Sequence, residues 1–329
     1  MPPYLTRHAA IGIAVETAWG TAVTTATMFT EVRGIRGFKR EITFTERGTL
    51  GRPADTATGI REVDISEDIV RGTFDFIPQY ANLTMLLCTQ CLGTNTDSGT
   101  ASPYTHTMKS ADELDAGRLG LTIQPTLGGQ PAGTLDGEKF EGCMVESLEL
   151  GWTAGEAYPT GSCTVLGETS NGRETPTTAT FSAFAPILAN QLDSDQVTFN
   201  SVNYTGIRSL RLWIANNYQT RAAVGIDTTL EPVKTGQVVE LTVELEKAGT
   251  QLYAAHLAKT QTNVTFGFTG SGANAFPVVV YNAHVASYDE DVTGAGPIVI
   301  TVVFRAKLSG SNPLCQIAAT NANATVVVN

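Results

Sequence analysis

Val239-Glu240-Leu241-Thr242-Val243-Glu244-Leu245-Glu246 places an apolar residue at every odd position and a polar one at every even position. This is the period-2 signature of a β-strand with one buried and one wet face. Leu148, Leu150 and Trp152 alternate with Ser147, Glu149 and Gly151 in the same way, and Leu210, Leu212 and Ile214 repeat the pattern later in the chain. In Val299–Leu308, Ile300, Val302, Phe304 and Ala306 take one side, and Thr301, Arg305 and Lys307 the other. Val278-Val279-Val280-Tyr281 is apolar on both faces, which suits a strand between two layers. Only two short stretches carry helical spacing, Asn82–Leu92 and Gln251–Lys259. The chain is therefore expected to be mainly β.

The order of these segments occurs twice. The extended stretch Ile65–Phe76 runs into the first helix, and Val238–Glu246 runs into the second. A strand and a long polar loop precede each pair (Ile42–Val63 and Leu210–Gln237). A third strand (Leu119–Ile123; Val264–Phe268) and a closing pair (Met144–Leu166; Val278–Leu308) follow each. The same element order at about half the chain length is the mark of a duplicated architecture. At 329 residues, two domains of ordinary size fit. The reading is two tandem β-sandwich or barrel domains, each with one short α-helix, at 31–167 and 201–315. A connector at 168–200 joins them, and arms at 1–30 and 316–329 flank them. The connector carries Phe181, Phe184, Pro186, Ile187 and Leu188, apolar anchors that a disordered linker lacks, so it is expected to dock on a surface.

Composition narrows the function. Charged residues make up 16% of the chain and the net charge is −11, which opposes the basic footprint of a nucleic-acid-binding protein. No apolar run reaches the ~18–20 residues that span a bilayer. The short apolar stretch Ala9–Val15 ends at Glu16 without a cleavage site, so a soluble protein without a signal peptide is expected. The five cysteines form no disulfide framework. Cys88-Thr-Gln-Cys91 lacks a second ligand pair, and its cysteines fall at helical spacing with Leu83, Leu86 and Leu87, which points to packing rather than metal or redox chemistry. The four histidines, His8, His106, His256 and His284, belong to no H-E-x-x-H motif, and the chain has no G-x-S-x-G elbow, phosphate loop or dinucleotide fingerprint. No cofactor or metal site is expected, and no enzyme. Asp289-Glu290-Asp291 lacks the spacing of a calcium loop. A building block is the remaining class.

At Glu16-Thr17-Ala18-Trp19-Gly20-Thr21-Ala22-Val23 the chain resembles the start of tail tube proteins of long-tailed bacteriophages. The resemblance continues through Thr45-Glu46-Arg47-Gly48-Thr49-Leu50-Gly51-Arg52, the acidic block Val63–Phe76, Leu92-Gly93, Tyr104-Thr105-His106-Thr107, and Leu210–Arg221 with its Asn216-Asn217. It implies a virion protein, made in the host bacterial cytoplasm, whose chains form rings that stack into a hollow tube conducting the genome. With the domain duplicated, three chains make six similar domains about the axis. Expected partners are other copies of the chain, a tape measure protein, a tail terminator, and baseplate or distal tail proteins. Double-stranded DNA passes without specific binding, and no membrane is involved. On this reading Asp64, Glu67, Asp68, Glu240, Glu244 and Glu246 face the lumen as a like-charged wall. Arg47, Arg52, Arg61, Asn216, Asn217 and Arg221 sit on loops that bridge rings, and Trp19 anchors an arm. Two other readings stay open: a tail-end or baseplate ring component of related fold, and a non-viral adhesin or carbohydrate-binding β-domain pair.

Overall fold

The computed structural model describes residues 10–23, 28–46, 63–111, 120–126, 137–174, 185–221, 230–292 and 296–324. The chain is mainly β, as the alternation predicts. The strictly alternating segment 239–246 is the end of β13 (Leu230–Glu246), and Val239, Leu241, Val243 and Leu245 are each at most 2% exposed. It pairs with β12 (Ile207–Arg221) on one side and β16 (Val299–Arg305) on the other. From β12 the sheet continues to β7 (Gly137–Thr153), β8 (Thr160–Gly167), β3 (Val63–Phe76) and β2 (Met28–Glu46). Beyond β16 it ends at β15 (Val278–Asp291). The result is one antiparallel main sheet, β2-β3-β8-β7-β12-β13-β16-β15, to which both halves of the sequence contribute.

The two quartets, β2-β3-β8-β7 and β12-β13-β16-β15, share more than strand order. A register irregularity falls at Val32/Gly34 of β2 opposite Phe76/Asp75, and at Ile207/Ser209 of β12 opposite Leu245/Glu244. Another falls at Val145/Ser147 of β7 and at Val285/Ser287 of β15, each against the penultimate partner in its quartet. Bulges bend a strand at a fixed place and are family-specific features rather than noise. Their coincidence gives the two quartets matching irregularities at corresponding positions.

Two smaller sheets branch from the long strands. In one, β4 (Gly93–Ser98), β5 (Tyr104–Ser110), β17 (Cys315–Asn321), the first part of β15, β14 (Thr262–Phe266), β10 (Val197–Phe199) and β11 (Val202–Tyr204) follow in order. In the other, β1 (Ala10–Val15) lies between β2 and β6 (Leu121–Thr126), β6 pairs with β7, and β7 with β9 (Thr169–Glu174). Helix α1 (Leu83–Leu92) is buried on nearly every side because structure surrounds it: β7 and β12 beneath, β4, β5 and β17 around it. It stops at Gly93, whose φ of 138° is open to glycine. Helix α2 (Gln251–Ala258) buries only Leu252 and Ala255, packs on β15, and leaves Tyr253 and Leu257 exposed.

The described parts of the segments read as arms and connector pack on this core. β1 is buried, and β17 pairs with both β5 and β15. In the connector, Tyr80 N–H donates to Ala185 O and Ile187 N–H to Pro78 O, each at 3.0 Å, so it docks on its own chain. The five cysteines are free and buried, and burial pushes the thiols of Cys88, Cys143, Cys163 and Cys315 up, which fits the packing reading.

One close approach in the first quartet yields a stability prediction. A Cβ on Gly72 of β3 would lie 2.5 Å from ring carbons of Phe38, whose ring packs on Phe140 at 5.3 Å and Phe74 at 6.3 Å between centroids. Gly72→Ala forces that ring out of its aromatic cluster. Denaturant titration should show a loss of about 1–3 kcal/mol, and Phe38→Leu in the same chain should recover part of it.

Candidate assembly surfaces

One face of the main sheet is packed and the other is wet. On the wet face, register sets Trp213, Glu240 and Arg305 side by side on β12, β13 and β16, then Ser209, Glu244 and Thr301. Ion pairs cross this face. Arg305 binds Glu240 and Arg211 binds Glu149, while Arg208 reaches Glu246 at 3.1 Å and Arg36 reaches Asp75 at 2.7 Å. Glu244 accepts from the Ser209 hydroxyl at 3.2 Å. Exposed pairs of this kind contribute ~0–1 kcal/mol each, so their main effect is on the field. On β13, Glu240 and Glu246 are thus paired with arginines of neighbouring strands, and Glu244 with a serine hydroxyl.

The other residues singled out from the sequence are distributed differently. Asp64, Glu67 and Asp68 lie on β3, in register with Thr45, Thr43 and Ile42 of β2. Arg47, Arg52 and Arg61 lie outside the described residues. The loop expected at Asn216, Asn217 and Arg221 is corrected by the structure: all three belong to β12, opposite Gln237, Gly236 and Leu230 of a hairpin longer than its polar sequence implied. Asn216 is 3% exposed and donates through Nδ2 to Cys91 O at 2.9 Å and Val145 O at 3.0 Å, while its Oδ1 accepts from Gln237 Nε2 at 2.8 Å. It ties the end of α1 to both quartets, which is why a polar residue occupies a buried strand position.

The Glu16–Val23 motif forms a plug on the smaller sheet of β1, β6 and β7. Glu16 is 1% exposed, and its carboxylate accepts from Gly142 N–H at 2.8 Å, Gly20 N–H at 2.9 Å and Thr122 Oγ1 at 3.1 Å. Burial pushes its pKa up against those hydrogen bonds, and the charge of Glu141 adds to the rise. Trp19 lies over Gly120 and Gly142, where a Cβ on either glycine would come within 3.1 Å of the indole. Ala22 N–H donates to Glu141 and Val23 N–H to Thr122, each at 2.9 Å. Trp19 thus packs against its own chain.

The sheet also has two one-sided edges. Among the described residues, the backbone of 34–41 in β2 pairs only with β3, and that of 284–291 in β15 only with β16. Sequence reasoning passed over both edges. The signal for them was present: Val32-Arg33-Gly34-Ile35-Arg36 repeats as Ile207-Arg208-Ser209-Leu210-Arg211, and Val145-Glu146-Ser147-Leu148-Glu149 as Val285-Ala286-Ser287-Tyr288-Asp289.

A wide antiparallel sheet with a wet face, a pinned N-terminal segment and two edges that, among the described residues, pair on one side only suits a structural subunit. The chain belongs to the phage tail tube protein family, which matches residues 6–306. Its role is structural, in the tail tube of a bacteriophage virion. A search of curated proteins returns no match. No helix among the described residues is long and apolar enough to cross a membrane.

Proposed function

We propose that this chain is the repeating subunit of the tube wall, with three copies closing a ring, rings stacking into a tube, and the wet face of the main sheet lining the bore through which DNA passes. The observation that carries this reading is the eight-stranded sheet built from two matching quartets. Three such sheets side by side would close a barrel of about 24 strands in which no edge is left unpaired. The residues 31–167 and 201–315 then act as two equivalent wall modules. The β2–β3 and β12–β13 hairpins point towards the next ring, and the tape measure, terminator and baseplate proteins meet the tube inside and at its ends. Negative-stain microscopy of purified protein tests the reading. Long uniform tubes support it, single rings favour a tail-end component, and discrete particles that bind a glycan favour an adhesin.

Where wall carboxylates such as Asp75, Glu149, Glu240 and Glu246 are paired with arginines, little net field remains within the ~8 Å reach of a charge at physiological salt, so duplex DNA slides. Glu244 is the position at which to test this, since a hydroxyl holds it and reversing it leaves the arginine pairs intact. Glu244→Lys adds a cation per subunit to the bore. Particles carrying it should assemble normally and eject DNA several-fold more slowly, with normal speed returning at high salt. Ejection at the wild-type rate in low salt would remove Glu244 from the lumen.

A further inference from the structure

The seam between the two quartets inside one chain is a template for the seam between chains. In the internal seam β7 pairs with β12 through Gly151↔Arg211, Glu149↔Trp213 and Ser147↔Ala215. The matching bulges convert each of these positions into its counterpart. Val285/Ser287 of β15 stands to β16 as Val145/Ser147 of β7 stands to β8, which equates Asp291 with Gly151, Asp289 with Glu149, and Ser287 with Ser147. Val32/Gly34 of β2 stands to β3 as Ile207/Ser209 of β12 stands to β13, which equates Arg36 with Arg211. Beyond the extra residue at Gly37-Phe38, Lys39 opposite Arg71 takes the place of Trp213 opposite Glu240.

Resting on the tube reading above, we propose that β15 of one copy pairs antiparallel with β2 of a second copy in this same register, keyed by charge: Asp291 faces Arg36, and Asp289 faces Lys39. These four side chains are exposed, and all lie on the wet face. Arg36 and Lys39 flank the Gly37-Phe38 bulge whose phenyl ring turns inward, and Asp289 and Asp291 lie opposite Thr301 and Val299. Glu290, between them, is taken by Lys247 at 2.6 Å and Tyr288 at 2.6 Å and plays no part. The internal seam already carries the corresponding bridge, because Arg211 pairs with Glu149 across it. Arg36, the counterpart of Arg211, rests instead on Asp75 of its own chain, whereas the counterpart of Asp75, Glu244, is held by Ser209. Arg36 therefore exchanges Asp75 for the neighbour's acidic pair when the seam forms, with Asp291 directly opposite it and Asp289 on the diagonal that Glu149 takes to Arg211.

This arrangement sets direction as well as contact. An acidic edge meeting a second acidic edge, or a basic edge a second basic one, juxtaposes like charges, so two copies do not join back to back. Only the head-to-tail contact is favourable, and that heterologous contact is the kind a ring closes by rotation.

Two variants and their combination test it in the full chain: Arg36→Asp with Lys39→Asp, Asp289→Lys with Asp291→Lys, and all four together. Circular dichroism confirms that each is folded, and sedimentation with microscopy reads the assembled fraction. Each double reversal should reduce assembly at low salt at least tenfold, and the fourfold exchange should restore it to within about twofold. Reversals that assemble like wild type, with wild-type tubes intact, overturn the seam and leave the tube reading standing. Wild-type protein that forms neither rings nor tubes overturns both. A second measurement does not depend on charge-reversed chains folding. Directly opposed antiparallel residues have Cα atoms ~4.5–5.5 Å apart, within disulfide reach. Lys39→Cys with Asp289→Cys in one chain should therefore give covalent multimers on mild oxidation, against a background of native cysteines that are all buried. Monomer alone after oxidation of assembled tubes would overturn the register.

Discussion

Trp152→Ala is expected to destabilise the chain by roughly 3–5 kcal/mol, the range for emptying a buried aromatic site. Trp152 is 2% exposed and sits on β7 at the internal seam, opposite Leu210. Its indole stacks on Phe268 with centroids 4.6 Å apart and meets Phe266 and Phe276 at 6.4 and 6.3 Å. Nε1–H donates to Ile187 O at 2.8 Å. One side chain thus joins the main sheet, the segment 266–276 and the connector. Removing it leaves a cavity between layers and an unanswered carbonyl in a buried segment. Trp152→Phe separates the two losses: the ring contact survives and the hydrogen bond does not, for which about 1–2 kcal/mol is expected. Denaturant melts should rank the variants in that order. Hydrogen exchange at the amides of Tyr80 and Ile187, which hold the connector to its dock, should accelerate in both. Equal stability of the alanine and phenylalanine variants would show that packing at this site counts for little.

Much of this architecture is readable from pattern. Strict alternation fixes which side of β13 is buried, because a one-residue slip would turn Val239, Leu241, Val243 and Leu245 to water and every glutamate inward. The two helices stand out because nothing else in the chain has 3.6-residue spacing. Pattern fails where polarity and extension coincide. Asn216-Asn217 and the residues after them carry turn chemistry, yet they continue β12, since a hairpin arm projecting from a sheet needs backbone partners but no apolar face. β1 and β17 are short and small-residued, so their burial depends on strands distant in sequence that alternation cannot identify.

The charged surfaces are legible only in part, for a related reason. An isolated strand shows its own carboxylates and hides its neighbours' arginines. Arg305, Arg211 and Arg208 are brought to Glu240, Glu149 and Glu246 by register, and register is set by bulges that composition does not reveal. Pairing the two halves by their repeated Val/Ile-Arg-x-Ile/Leu-Arg and Val-x-Ser-x-Glu/Asp motifs is the step that locates both edges, because those motifs mark the bulged positions themselves.

Glu16→Ala should cost about 2–4 kcal/mol, although it removes a charge whose burial is itself unfavourable. Three donors converge on this carboxylate: Gly142 N–H from β7, Gly20 N–H from the turn that follows Trp19, and the Thr122 hydroxyl from β6. A buried donor left without an acceptor costs ~1–3 kcal/mol, and alanine supplies none. Glu16→Gln keeps the volume but sets an amide N–H₂ against at least one N–H, so it should rescue little. The pH dependence distinguishes this account from simple loss of packing. Burial raises the folded-state pKa of Glu16 above its unfolded value, so the native chain binds this proton more tightly than the unfolded chain does. That contribution to stability is complete below the ordinary carboxylate value and is lost as pH rises through the raised one. The stability difference between wild type and Glu16→Ala should therefore narrow as pH climbs across that window. Glu141 shifts in the same direction and is coupled to Glu16, so the paired comparison, rather than the wild-type profile, carries the test. A difference below about 1 kcal/mol at every pH, less than one orphaned donor should cost, would mean that the plug is held by Trp19 over its two glycines, and that the carboxylate only accompanies it.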